Sequence, residues 1–218
     1  MLLFDIPRGT TLESLVLEVA PAAHRKLVPA TAGSDTLACG VHFVGGGGAR
    51  SRSFTVHVAG ATMRAREQPE HANVDMWIAI DVGTAQIFLD DVLGPGRWLP
   101  KFVPPTDLKL MSDPRAFKLL KLAQGKIELA LRDFPGAPPG PGRRVSLWVC
   151  VGPQARKPVL LEKPDVTLET TCATYERVLA GAMPPEEILT SGDVTIRGKR
   201  FVAMQFALAL TPLYPKKR

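Results

Sequence analysis

The feature that most limits how this chain can fold is that much of it is written twice. Around residue 75 it reads VDMWIAID and then TAQIFLDDVLGP; around residue 165 it reads PDVTLETT and then TYERVLAGAMPP, and an offset of 90 aligns the two. On that offset Asp75 meets Asp165, Ile78 meets Leu168, Phe88 meets Val178 and Leu89 meets Leu179. Further on, DLKLMS from Asp107 matches DVTIRG from Asp193 at an offset of 86, so the connections differ in length while the elements persist. Upstream, Cys39 to Val44, the Gly45 to Gly48 run and Phe54 to Val58 correspond to Ile127 to Leu131, the Pro/Gly-rich Phe134 to Gly142 and Val145 to Val151. A repeat on this scale is one supersecondary unit used twice, and it divides the chain into copies at 1–112 and 113–218.

Within each copy the expected order is strand, hairpin, strand, strand, strand, helix, short helix, strand and an apolar terminal segment. Val166 and Leu168 alternate with Thr167 and Glu169, the period of a strand with one buried face. The helix that follows offers Tyr175, Val178, Leu179 and Ala182 at helical spacing to cover that face. Pro184 and Pro185 then open a short helix, with Glu186 and Glu187 where the helix dipole favours carboxylates. Only Arg115 to Gln124 lies between the last strand of the first copy and the first strand of the second, whereas Thr11 to Lys26 gives the first copy a full leading helix capped by Thr10 or Thr11. The intervening segment therefore closes one copy, opens the other, or does both, and the chain reads as one pseudo-symmetric unit with shared elements.

Composition removes several function classes. A chain of 218 residues, 45% of them apolar, can build a core, and no stretch approaches the roughly 20 continuous apolar residues of a membrane-spanning helix. Asp5 and Arg8 interrupt any secretory signal, which sets the expectation of a cytoplasmic protein, and the Ala, Gly, Pro and Arg usage suggests a bacterial source. Cys39, Cys150 and Cys172 are widely spaced and odd in number, so they read as buried free thiols. The net charge of +6 is uneven: residues 1–112 hold 10 Lys+Arg against 11 Asp+Glu, and 113–218 hold 17 against 10. That excess suits an anionic membrane surface; without interleaved aromatic and basic side chains, nucleic acid is not expected as a partner.

The series Asp165-Val-Thr-Leu-Glu, Tyr175 to Gly181, Ile188-Leu189 and Gly192-Asp-Val-Thr-Ile-Arg-Gly198 resembles the C-terminal portion of the sterol carrier protein type-2 family. Weaker agreement extends back to Ile127. The first copy is similar by way of the repeat but departs from the pattern at Asp91 and Ser112, where the second has glycines, and is read as a diverged copy. The resemblance implies an α/β fold of the α+β type: a five-stranded, mainly antiparallel sheet covered by helices, occurring twice. It also implies an apolar tunnel for a sterol, an acyl chain or an isoprenoid, lined by Tyr175, Val178, Leu179, Met183, Ile188, Leu189, Ile196, Phe201, Met204 and Phe206. The same residues would equally fill a closed core, as would Trp77, Phe88, Trp98 and Phe102 in the first copy.

The expected function is thus non-catalytic lipid binding or transfer, with no cofactor and no metal. The alternative is an adaptor that uses the fold to bind a protein partner. No Gly-x-Ser-x-Gly, His-Glu-x-x-His or Walker-type pattern occurs. The glycine run at Gly45 leads into a strand and lacks a following Gly-Lys-Ser/Thr, so it is no phosphate cradle. His42 and His57 could face each other across the first hairpin, without an evident third metal ligand.

Overall fold

Eight short segments alternate closely enough to be strands: β1 (Thr36–Val44), β2 (Arg52–Ala59), β3 (Thr62–Glu67), β4 (Met76–Asp81), β5 (Gly125–Arg132), β6 (Val145–Val151), β7 (Val166–Thr171) and β8 (Thr195–Gly198). In the computed structural model, which describes residues 6–7, 9–27, 36–46, 48, 50–68, 74–87, 89, 114–133, 144–152, 163–179, 182–183 and 185–210, they form one open sheet. Its order is β3-β2-β1-β4-β6-β5-β7-β8. Five of the seven pairings are antiparallel; β1 with β4 and β5 with β7 are parallel.

This corrects the expectation of a five-stranded sheet occurring twice. β4 and β6 pair antiparallel, from Met76 opposite Val151 to Ile80 opposite Leu147, and join the halves into a single eight-stranded sheet. Unjoined, each half would expose a row of unpaired N–H and C=O groups along that edge, and mutual pairing satisfies both rows. The strand expected at Asp107 to Ser112 lies outside the described residues.

The two halves share their pairing in detail. Cys39 stands opposite Met76 in the first parallel pair, and Ile127 stands opposite Val166 in the second. Asp75 donates its backbone N–H to the Ala38 carbonyl (2.8 Å) and accepts from the Ala38 N–H at Oδ2 (2.8 Å). Asp165 does the same with Lys126, at 2.8 and 2.9 Å. The residues that open the following helices also match: the Thr84 N–H donates to Asp81 Oδ1 (3.0 Å), and the Thr174 N–H to Thr171 Oγ1 (3.2 Å). The aspartate before each strand is thus there to pin the start of the parallel pair.

Helices cover one face. At the N-terminus α1 (Leu12–Ser14), a π-helical turn (Leu15–Val19) and α2 (Ala20–Leu27) run on from one another. Thr11 caps them through a reciprocal pair, Ser14 N–H to Thr11 Oγ1 (3.1 Å) and Thr11 N–H to Ser14 Oγ (3.0 Å). This segment packs at β3, and Arg52 anchors it by reaching both Glu13 (2.6 Å) and Glu67 (2.8 Å). α3 (Val82–Ile87) packs on β4 and β1, as α5 (Cys172–Leu179) packs on β7 and β5. α4 (Pro114–Leu122) touches α7 (Arg200–Leu210), which lies over β5, β7 and β8 and meets α6 (Pro185–Ile188).

The core on that face joins Val16, Ala85, Leu120, Val202, Ala203 and Phe206 from the helices to odd positions of β1, β5 and β6 and even positions of β2, β4 and β7. The opposite face holds a smaller cluster of Val74, Trp77, Ala79, Trp148 and Cys150. Trp77 is 1% exposed and lies against Gly40 so closely that a Cβ there would sit 2.1 Å from the ring.

Candidate functional site

The site suggested by the sequence is the layer between α7 and strands β5, β7 and β8. Its frame is set by Asp165. Besides its bonds to Lys126, this residue accepts the Lys199 N–H on its carbonyl (2.8 Å) and the Lys199 ammonium on Oδ1 (2.8 Å). One side chain therefore joins the beginnings of β5 and β7 to the end of β8 and the entry to α7. Gly198 has φ +103° and its absent Cβ would lie 2.3 Å from the Asp165 carbonyl oxygen; Gly125 has φ +138° and would clash with Val202 at 2.6 Å. Both glycines are needed for these close approaches.

The Lys199 ammonium, with the Lys126 amide, holds the Asp165 carboxyl below its ordinary range. The native state therefore binds this proton less readily than the unfolded chain does. The stability it contributes is complete above the unfolded value of about 3.9 and is lost as pH falls through the lower native value. Asp165→Asn is expected to cost about 1 to 2 kcal/mol at neutral pH, as a lost charged hydrogen bond does, with the difference from wild type shrinking at acid pH. Urea midpoints across that range check this, and a pH-independent difference would assign the loss to packing.

Of the ten residues expected to line the interior, Met183 (2% exposed) and Phe206 (7%) are buried. Leu189 and Ile196 are half-buried against the main core, and Tyr175 and Ile188 are half-buried. Burial pushes the Tyr175 phenol upward, with the nearby Cys172 thiol adding to it. The side chains of Val178 and Leu179 lie outside the described residues. Phe201 and Met204 stand exposed on the outer side of α7, where helical spacing sets them opposite Val202, Ala203 and Phe206. In the first copy Trp77 is buried in the smaller cluster, while Phe88, Trp98 and Phe102 lie outside the described residues.

The same strands carry carboxylates on their other face. Glu128 accepts from Arg144 (2.5 Å), Ser146 (2.8 Å) and Thr167 (2.9 Å), and Glu169 lies near Arg132 (3.4 Å), Arg197 (3.8 Å) and Arg144 (3.9 Å). Both glutamates are buried, a position tolerated because each is paired. In the first copy the equivalent ladder positions hold Gly40 and Trp77 where the second has Glu128 and Thr167. Sequence reading passed over this cluster, although Glu128 and Glu169 sit on the same phase of neighbouring strands and could have been paired from that.

His42 and His57 do not oppose each other: His42 pairs with Ser53 and His57 with Ala38. The His42 Nδ1 lies 2.6 Å from Ser53 Oγ, and both side chains are buried, out of reach of a substrate. Among the described residues no three His, Cys, Asp or Glu side chains cluster as metal ligands. No disulfide links the cysteines among the described residues; desolvation pushes the Cys39 thiol up to about 12 and the Cys150 thiol up to about 11. No helix among the described residues is long and apolar enough to cross a membrane.

The class defined is therefore an open α/β sheet with helices and an apolar interior on one side and paired charges on the other. The chain is similar to solved sterol carrier domains over just under half its length. One is the solution structure of the sterol carrier protein domain 2 of Helicoverpa armigera, at 20% identity, covering 46% of this chain and 77% of that one with a TM-score of 0.33. Another is sterol carrier protein 2 from Yarrowia lipolytica in its apo form, at 16% identity, covering 47% and 77% with a TM-score of 0.30. No protein-family model and no curated protein matches the chain.

Proposed function

We propose that this protein binds or transfers a lipid, without catalysing a reaction, and that its two halves are tandem diverged sterol-carrier-like copies with the ligand held in the second. The observation that carries this reading is the separation of chemistry across β5 and β7. Ile127, Val166 and Leu168 face α7 and join Leu189, Ile196 and Phe206 in providing apolar surface, while Glu128 and Glu169 point to the other side. An apolar ligand gains roughly 0.025 kcal/mol per Å² removed from water, so an opening in that layer needs no reactive group to hold a sterol, an acyl chain or an isoprenoid.

Native mass spectrometry of the purified chain, with organic extraction of the bound material, tests the proposal. The expected result is co-purifying lipid that is absent from Leu189→Trp, a variant that fills the half-buried position and whose folding a urea melt verifies. A ligand-free wild type that also ignores added sterols, acyl chains and quinones would reject the carrier reading. The second reading, an adaptor, draws on a specific feature: large apolar side chains exposed on α4 and α7.

A further inference from the structure

The large apolar side chains that stand exposed among the described residues all fall on two helices: Leu119 (37%) and Leu122 (63%) on α4, and Phe201 (68%), Met204 (55%) and Leu208 (55%) on α7. The two helices touch, so these side chains belong to one region of the surface. On α7 the spacing of Phe201, Met204 and Leu208 places them on one stripe, while Val202, Ala203, Phe206, Ala207 and Ala209 are buried on the other side. A helix that is apolar on its outer as well as its inner face is not built for water.

The charges carried by these two helices are all basic, although the neighbouring α6 presents the exposed Glu187. Neither helix contains an acidic residue, and Lys118, Lys121 and Arg200 on the helices, with Lys199 just before α7, are exposed. Lys121 pairs with Asp75 (3.6 Å) and Lys199 with Asp165 (2.8 Å); Lys118 and Arg200 have no ion pair among the described residues. We propose that the outer faces of α4 and α7 form a docking surface for an anionic lipid bilayer, with Phe201, Met204, Leu208 and Leu122 entering the interface and the bases meeting headgroup phosphates and carboxylates. Apolar side chains alone would suit many partners. Their combination with the bases of both helices, Lys118 and Arg200 above all, selects a surface that is apolar beneath and negative above.

Flotation of the full chain with phosphatidylcholine vesicles, with and without phosphatidylserine, tests this. The wild type is expected to float with the phosphatidylserine vesicles and to be released by salt. The combined Phe201→Ser, Met204→Ser and Leu208→Ser variant changes only exposed positions and is expected to stay unbound with an unaltered urea midpoint. Lys118→Glu with Arg200→Glu should weaken binding by about thirtyfold or more, from roughly one kcal/mol per base near an anionic surface. Charge-reversed protein that floats like the wild type overturns the proposal, as does wild type that ignores both vesicles. So does a wild-type dimer, dissolved by the serine variant and indifferent to vesicles, which would make a second copy the occupant. Flotation reads the surface and mass spectrometry reads the interior, so a protein that floats yet stays ligand-free with added sterols, acyl chains and quinones refutes the carrier reading alone.

Discussion

Trp77→Ala is expected to lower stability by about 3 to 5 kcal/mol, the usual cost of emptying a buried aromatic site. The ring is 1% exposed and packs with Val74, Ala79, Trp148 and Cys150 on the face away from the main core. It also occupies the space above Gly40 that no side chain could share, so nothing nearby can grow into the void. Trp77→Phe should cost much less than its volume implies, because the indole Nε1 is buried without a hydrogen-bond partner among the described residues and its removal deletes an unsatisfied donor. Urea denaturation of the two variants measures both effects. A loss below about 1 kcal/mol for alanine would show that the second face contributes little to folding.

Gly198→Val should cost about 3 kcal/mol or more, because two penalties act together. The residue has φ +103°, which a β-branched side chain tolerates poorly, and the new Cβ would press on the Asp165 carbonyl at 2.3 Å. That carbonyl accepts the Lys199 N–H, so relief by movement would break the link between β7, β8 and α7. Gly192→Ala is the control: φ is +80° but nothing lies within 4 Å of the added Cβ, which leaves only the backbone cost of about 1 kcal/mol. Equal losses at both positions would mean that the contact with Asp165 adds nothing to the conformational cost. Hydrogen exchange at β8 amides then reports whether the strand has come away from β7.

Much of the layout was legible because repeat and periodicity are local signals. The 90-residue offset anticipated that Asp75 and Asp165 would do the same work, and the structure gives both aspartates the same pair of bonds to the neighbouring strand. The glycines around DVTIR stood out in the sequence, and their positive φ values supply the physical reason. The site was less legible. Phe201 and Met204 read as interior residues because both faces of α7 are apolar, so hydrophobicity could not say which side meets the sheet. Whether His42 could face His57 was a question of register, which the hairpin sets and composition does not, and the register separates them.

By itself the sequence indicated local elements such as the alternating strand at Val166 and the helix that follows it, since alternation, caps and glycine placement act over a few residues at a time. The tertiary structure decided how the halves meet, which face each helix presents and which charges become partners. Edge strands satisfy their hydrogen bonds with whatever complementary edge is nearest, and β4 found β6, a partner that only the folded chain brings within reach.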